Sequence, residues 1–225
     1  IIAIMLLLCC GMMLFGCADD NGRRKAEQQK TIVVTDSVGR KVELPYPLER
    51  VAVCNVYNAE LITAVGAIDK IVGVDNYIFK DQSGFKNRFN EAQVFGISQN
   101  AMNYEKLAEL APQAVIITGE GTWRDAQEML DRFGIKVIVI NSYYTDQFAD
   151  NCRLIGRIFG REEQAEELVN YFNDKLAYIQ KQLQGVPRRS LYFEYRTLGK
   201  TAVPGDYFYK MVEYSGADNI FAAAK

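Results

Sequence analysis

The chain has 225 residues, of which 24% are charged, and its formal net charge is -2. Charges of both signs are interspersed, which excludes the clustered basic face that nucleic-acid binding needs. The sequence contains no histidine, which excludes Ser-His-Asp and Cys-His catalysis and histidine-rich metal sites. We therefore expect neither a protein-bound metal nor a cofactor.

Residues 1–17 form an almost unbroken apolar run that ends in Gly16 and Cys17. A small residue and a cysteine after such a run are typical of a lipoprotein signal, in which Cys17 takes the lipid. The alternative is a membrane-spanning anchor, but the run is short of the ~20 apolar residues that a span needs and lacks a basic flank. The polar segment 18–30 is then a flexible linker. These features predict an extracytoplasmic protein that is lipid-anchored to the cell membrane.

Residues 31–145 alternate between apolar strands and amphipathic helices. Two strands around the turn-rich segment 36–40 predict a β-hairpin. Further strands are predicted at 50–54, 71–74, 114–117 and 136–140, with helices at 59–65, 104–110 and 123–133. Strands that alternate with helices form parallel sheets, so the predicted fold class is α/β. Ligands of such sheets bind beyond the carboxyl ends of the strands.

The pattern becomes helical at 146–184, where the long helix 161–184 carries apolar residues every three or four positions. This helix is either a core helix on the sheet or a rigid spacer between two lobes. A strand at 190–195 and a helix at 207–215 follow. One βα unit cannot bury a sheet, so a second, truncated lobe is predicted. Cys54 and Cys152 are predicted to be buried free thiols rather than a disulfide.

The junctions between these elements carry a resemblance to a known family. They lie at 36–40, 50–53, 66–74, 103–112, 134–137 and 216–221. Their order resembles the substrate-binding proteins of ABC importers for iron-siderophores, haem and cobalamin, the class III periplasmic binding proteins. The resemblance runs from about residue 31 to the end. It implies two Rossmann-like α/β lobes joined by one long helix, with ligand in the cleft between them and most of the C-terminal lobe missing.

The resemblance implies a division of the chain and a function. The segments are a signal peptide at 1–17, a linker at 18–30, an N-terminal lobe at 31–145, a helical segment with the interlobe helix at 146–184, and the start of the C-terminal lobe at 185–225. The implied function is capture of a chelated metal, a ferric siderophore first, then haem or cobalamin. The implied partners are an ABC permease and its ATPase, and the protein is expected to be a monomer.

Side chains at strand carboxyl ends and helix N-termini are expected to face the cleft. The segments there are rich in tyrosine, and aromatic faces with a guanidinium suit a bulky anionic chelate or macrocycle. Tyrosine is abundant throughout the chain, so each of these residues is equally compatible with a place on the surface or in the core. Tyr57, Trp123 and Arg196 are the foremost candidates, and the others are Asn55, Asn76, Tyr77, Glu120, Thr122, Tyr143, Tyr144 and Tyr195.

The resemblance also implies acidic residues on the rim of each lobe that pair with arginines of the permease. Arg124 occupies the place expected for an acid in the N-terminal lobe, with Asp125 beside it. Asp206 is the candidate in the second lobe. A helix N-cap explains Asp206 equally well, and a solvated acid in the first turn of a helix is the simpler reading of Asp125.

Two other classes of function remain open. A lipid-anchored surface glycosidase would use Glu120 and Glu194 as facing carboxylates. An adhesion or scaffold lipoprotein would need no such site. The sequence has no Gly-x-Ser-x-Gly elbow and no phosphate-binding loop, so it offers no further support for an enzyme.

Overall fold

The computed structural model describes residues 30–195 and 197–223. Its first element is the predicted antiparallel hairpin of β1 (Thr31–Thr35) and β2 (Lys41–Pro45). In the turn between them, the Asp36 carboxylate accepts hydrogen bonds from the backbone N–H of Arg40 at 2.9 Å and from its guanidinium at 2.7 Å. The same carboxylate accepts from the backbone N–H of Val139 at 3.3 Å. Asp36 therefore fixes the hairpin to the neighbouring sheet.

The central sheet has four parallel strands in the order β4-β3-β7-β8. These strands confirm the four predicted positions and the α/β fold class. Their bounds are Val51–Val53 for β3, Ile71–Val74 for β4, Ala114–Ile117 for β7 and Lys136–Val139 for β8. The short strands β5 (Gly96–Ser98) and β6 (Ala101–Met102) form a separate antiparallel pair beside them.

Both faces of the sheet are buried, which explains why its strands are apolar without alternation. Successive side chains of a strand point to opposite faces. Ile116 and Ile138 pack in the core shared with the hairpin, while Val115 and Val137 pack in the core on the other side. The helices of this part are α1 (Val56–Ala64), α2 (Asn76–Lys80), α3 (Tyr104–Leu110) and α4 (Trp123–Asp131).

Two consecutive helices follow the sheet, α5 (Phe148–Phe159) and α6 (Glu162–Gln182). Gly160 separates them with a φ of 63°, a left-handed conformation that glycine adopts without strain. The helices approach closely at Gly156, where an added Cβ would lie 2.5 Å from Cβ of Ala165. The 21 residues of α6 span about 31 Å at ~1.5 Å per residue.

The last described part is a small parallel pair of β9 (Arg189–Leu191) and β10 (Ala217–Asn219), with α7 (Tyr209–Tyr214) between them in the chain. The strand is shorter than the predicted 190–195. After Leu191, the chain leaves the strand for a loop closed by hydrogen bonds such as Tyr195 N–H to the carbonyl of Lys200 at 3.0 Å. Within residues 30–195 and 197–223, no helix combines the length and apolar character needed to cross a membrane.

Candidate cleft at the carboxyl edge of the sheet

A cleft of about 730 Å³ lies where the strands of the central sheet end. Asn55, Asp75 and Thr118 follow β3, β4 and β7, and all three line this cleft. The carboxyl ends of parallel strands meet at one edge of a sheet, which brings these residues together from distant parts of the chain. The other lining residues are Val56, Tyr57, Glu60, Tyr77, Ser98, Gln99, Asn100, Glu120 and Gly121.

Asn55 fixes the wall of the cleft that follows β3. Its φ is 76°, a positive value that is uncommon for non-glycine residues. Its side-chain oxygen accepts from the backbone N–H of Tyr57 at 2.9 Å and caps α1. This cap starts α1 at Val56, three residues before the predicted start. Tyr57 then lies in the first turn with 47% of its surface exposed beside the cleft.

Asp75 is buried at the base of the cleft. One carboxylate oxygen accepts from the backbone N–H of Asn55 at 3.0 Å, and the other accepts from that of Ile78 at 3.0 Å. Burial raises the pKa of Asp75, and the backbone hydrogen bonds from Ile78, Asn55 and Tyr77 oppose that rise. Burial also raises the pKa of Cys54 well above its ordinary value, and the Asp75 carboxylate adds to this rise. Asp75 therefore ties the end of β3 to the start of α2.

Gln99 organises the loop that follows β7. Its side-chain oxygen accepts from the backbone N–H of Thr118 at 3.0 Å and from the Thr118 hydroxyl at 2.8 Å. Its side-chain amide donates to the carbonyl of Glu120, and its own carbonyl accepts from the Thr122 hydroxyl at 3.1 Å. These bonds hold Glu120 at the cleft and direct the hydroxyl of Thr122 toward the loop rather than toward solvent.

A second cavity of about 240 Å³ shares Asn55, Tyr57 and Glu120 with the cleft. Its other walls are Tyr143, from the loop after β8, and Tyr207 with Phe208, from the residues before α7. The rings of Tyr143 and Tyr207 meet edge to face with centroids 5.4 Å apart. This is a favourable geometry for an aromatic pair. The pair closes one side of the cavity and joins the sheet region to the C-terminal part.

The aromatic contacts continue into the C-terminal part. Tyr144 lies 4.8 Å from Tyr143 between ring centroids, Phe208 lies 4.4 Å from Tyr207, and Tyr195 lies 4.9 Å from Phe208. Burial raises the pKa of Tyr143 and of Tyr144, and the negative charge of the Glu120 carboxylate is the second largest cause. Burial also raises the pKa of Tyr195, and a hydrogen bond with Tyr207 and the charge of Asp206 add to this rise. These phenols stay protonated at neutral pH and can donate hydrogen bonds.

The structure brings together five of the eleven predicted ligand-binding residues. Asn55, Tyr57, Tyr77, Glu120 and Tyr143 line the cleft or the adjoining cavity. Tyr144 and Tyr195 do not line these cavities, but their rings contact Tyr143 and Phe208, which do. Asn76 is the half-buried first residue of α2 and is not among the lining residues, and Thr122 is engaged with Gln99. Arg196 and Cys17 lie outside the described residues.

Trp123 lies in the core rather than in the cleft. It has 9% of its surface exposed and packs with Ala126 and Leu130 of α4 against the sheet. The guanidinium carbons of Arg40 and Arg124 lie over its ring, 4.3 and 4.1 Å from the centroid. These contacts are in the range of cation–π interactions. Within the structure, Trp123 connects the hairpin turn to α4.

The two acidic residues predicted on the rim differ in their surroundings. Asp125 is exposed in the first turn of α4, where a negative charge favours the helix dipole. Asp206 is half-buried, and its carboxylate accepts from the backbone N–H of Phe208 at 2.8 Å and from the Tyr195 hydroxyl at 3.2 Å. Asp206 therefore has a structural role in holding the loop before α7.

The sequence reasoning did not select Gln99, Tyr207 or Phe208. Tyr207 and Phe208 directly follow Asp206 before a helix, so the helix N-terminus rule used for the other candidates would have found them. Gln99 had no such signal, because its role arises only when the loop 98–101 folds against Thr118.

The two carboxylates considered for a glycosidase, Glu120 and Glu194, do not line a common cleft. The Glu194 carboxylate accepts from the Tyr192 hydroxyl and from the backbone N–H of Gly199, and these bonds lower its pKa. A lowered pKa suits the ionised carboxylate of such a pair and not its acid. Glu194 lines neither the cleft nor the adjoining cavity, both of which Glu120 lines. Among the described residues, no group of three or more His, Cys, Asp or Glu side chains could hold a metal ion.

Comparisons with known proteins agree with the α/β fold. Residues 51–225 match the family model described as periplasmic binding protein. The chain is 26% identical over 219 residues to the molybdate-binding protein of Haemophilus influenzae, covering 85% of this chain and 61% of that protein. It is 22% identical to the vitamin B12-binding protein of Salmonella typhimurium, covering 80% of this chain and 65% of that protein. The chain thus spans less than two thirds of the length of these relatives.

A solved structure shows a similar fold. It is the molybdate-binding protein of Haemophilus influenzae with molybdate bound, and it has a TM-score of 0.70 at 22% identity. The superposition covers 86% of this chain and 67% of that one. At this identity the likeness extends to the fold alone.

Proposed function

The chain belongs to the periplasmic binding protein family, and on that premise we propose that it is the extracytoplasmic solute-binding component of an ABC importer. The observation that carries the proposal is the open cleft of about 730 Å³ at the carboxyl edge of a parallel sheet. Exposed tyrosines stand beside this cleft, and polar side chains at its base are held by hydrogen bonds. A concave site with aromatic walls and a few fixed polar groups suits reversible capture of a small molecule.

The proposed ligand is a metal chelate, a ferric siderophore in the first place and haem or cobalamin next. Two features support a chelate over a bare ion. The described residues offer no cluster of metal ligands, and the tyrosine rings provide broad apolar surface for an organic scaffold. We further propose that residues 31–145 form one lobe, that α6 lies in a helical segment 146–184, and that 185–225 begin a second lobe, with the ligand between the two.

Binding measurements with the full-length protein test the site. Tyr57→Ala and Tyr143→Ala each remove a ring from the cavity walls, so each should weaken chelate binding by roughly 1–3 kcal/mol. Tyr171→Ala is the matched control, because Tyr171 is an exposed tyrosine on α6 away from the cleft. Equilibrium dialysis against ferric chelates and cyanocobalamin gives the affinities. Equal affinities in all three variants and the wild type would contradict the assigned site.

The proposed partners are an ABC permease and its ATPase, with the protein held at the membrane by a lipid on Cys17. Asp125 is exposed and free to meet a permease, whereas Asp206 is engaged with Tyr195. If both serve docking, Asp125→Ala together with Asp206→Ala should abolish uptake in cells while chelate affinity stays unchanged, since rim charges position a partner without touching the cleft. Loss of chelate affinity would assign Asp206 to the fold of the cavity instead.

A further inference from the structure

The charge of the cleft bears on the class of its ligand. Three carboxylates, from Glu60, Asp75 and Glu120, are among its lining residues. The remaining polar groups on the two cavities are hydroxyls and amides. Among the described residues that line these two cavities, none is a lysine or an arginine. Glu120 belongs to both cavities and is exposed, so a bound ligand meets its negative charge.

Four cationic side chains of neighbouring elements contact groups outside the two cavities. The ammonium of Lys200 lies 5.2 Å from the ring centroid of Tyr195, and that of Lys210 pairs with Glu213 at 2.7 Å. Arg40 pairs with Asp36, and Arg124 lies over Trp123. None of these four cations lines the cleft or the adjoining cavity.

We propose that the ligand carries no net negative charge and is an uncharged or cationic metal chelate held by aromatic contacts and hydrogen bonds. This inference rests on the proposed function and makes its ligand class more specific. It departs from the anionic chelate that the sequence suggested. Of the two relatives, one is a molybdate-binding and the other a vitamin B12-binding protein, so the test includes both of these ligands.

The aromatic side chains favour the same class of ligand. The face of a tyrosine ring carries partial negative charge and attracts cations. Tyr57, Tyr143 and Tyr207 present such rings on one cavity. A tyrosine hydroxyl on this cavity can donate a hydrogen bond to an uncharged carbonyl or hydroxamate oxygen. An anionic chelate would instead meet repulsion of like charges at Glu120 and Glu60, and none of the described residues that line the two cavities carries a positive charge to offset it.

Three ferric chelates that differ in charge test the inference on the full-length protein. They are ferrioxamine B, a cationic trihydroxamate, ferrichrome, an uncharged trihydroxamate, and ferric enterobactin, an anionic triscatecholate; cyanocobalamin and molybdate extend the series. We expect the first two, or cyanocobalamin, to bind at least about tenfold tighter than the two anions. Raising the salt concentration should weaken the cationic chelate and leave the uncharged ones unchanged.

Removal of the carboxylate charges of Glu60 and Glu120 should reduce the preference for cationic over anionic chelates. In Glu60→Gln with Glu120→Gln, the affinity ratio of ferrioxamine B to ferric enterobactin should fall by about tenfold or more per carboxylate. A carboxylate about 6 Å away in water-like surroundings changes binding roughly threefold for each unit of ligand charge, and the two chelates differ by several charges. Glu128→Gln, an exposed glutamate of α4, makes the same charge change away from the cleft and should leave the ratio unchanged.

The outcomes separate this inference from the function on which it rests. Tightest binding of ferric enterobactin or molybdate would overturn the charge inference and leave solute binding intact. An unchanged ratio in the double variant would also overturn it, because the carboxylates would then not set the preference. Binding of neither haem nor any of the five compounds would contradict the proposed function and the inference together.

Discussion

Asp75 offers the sharpest test of how the fold forms the cleft. The substitution Asp75→Ala removes the acceptors of two backbone N–H groups, those of Asn55 and Ile78, each 3.0 Å from a carboxylate oxygen. An N–H group left without a partner in a buried place costs about 1–3 kcal/mol. Loss of the poorly solvated carboxylate recovers part of this, so we expect a net loss of about 2–3 kcal/mol in the free energy of unfolding.

Urea denaturation followed by far-ultraviolet circular dichroism measures this loss. Asp131→Ala provides the control, because Asp131 is an exposed aspartate at the end of α4. The control should lie within about 0.5 kcal/mol of the wild type. A value as small as this for Asp75→Ala would refute the view that the carboxylate ties the end of β3 to α2.

The same carboxylate predicts a pH dependence. Burial raises the pKa of Asp75 above its unfolded value, so the folded state holds this proton more firmly. The stability that the group contributes is fully present below the unfolded pKa of about 4 and is lost as pH rises through the folded pKa. The Asp75→Asn variant has no titrating group at this position between the unfolded and the folded pKa of Asp75. The wild type should therefore lose stability relative to Asp75→Asn as pH rises through that window, and a constant difference would contradict the raised pKa.

Three further predictions concern the thiols, the helix contact and the anchor. Burial raises the pKa of Cys152 to about 12 and that of Cys54 as well, so neither thiol should react with an aromatic disulfide reagent at neutral pH until the protein is denatured; reaction of the native protein would disprove their burial. Gly156→Ala places a Cβ 2.5 Å from that of Ala165 and should cost about 1–3 kcal/mol, seen as a lower thermal midpoint, whereas an unchanged midpoint would show that the helices separate freely. Cys17→Ala should move the protein from membranes to the soluble exported fraction, and its retention after an alkaline wash would favour a spanning anchor.

The sheet was predictable because its signal is local. Each of its strands is buried on both faces, so each is a short apolar run that stands out from the polar loops. The ends of helices were less predictable. The start of α1 at Val56 depends on the conformation of Asn55 and its bond to Tyr57, which the apolar pattern of the helix does not contain.

The cleft was predictable where it follows from topology. Tyr57, Glu120 and Tyr143 were selected because they follow strands, and the structure places all three on one cavity. Gln99 was not predictable, since its bonds to Thr118 require a loop conformation that no motif specifies. The buried place of Trp123 did have a signal in the sequence.

That signal is the spacing of α4. Trp123, Ala126 and Leu130 recur at intervals of three and four residues, which puts them on one face of the helix. All three are buried against the sheet. Trp123 is buried because it belongs to the face of α4 that packs on the sheet, although it directly follows a loop at the cleft.

The position of Trp123 determines what the intrinsic fluorescence of this protein can report. It is the single tryptophan of the chain, and it lies in the core with two guanidinium groups over its ring. Trp123 is not among the residues that line the cleft or the adjoining cavity, so a colourless ligand bound there should leave the indole emission unchanged. A strongly coloured chelate should dim it through energy transfer across space, in proportion to the overlap of its absorption with indole emission. A decrease in Trp123 fluorescence would thus report the absorption spectrum of the ligand and its distance from the indole. Direct contact with the ligand would instead change the fluorescence of the tyrosines around the cavity.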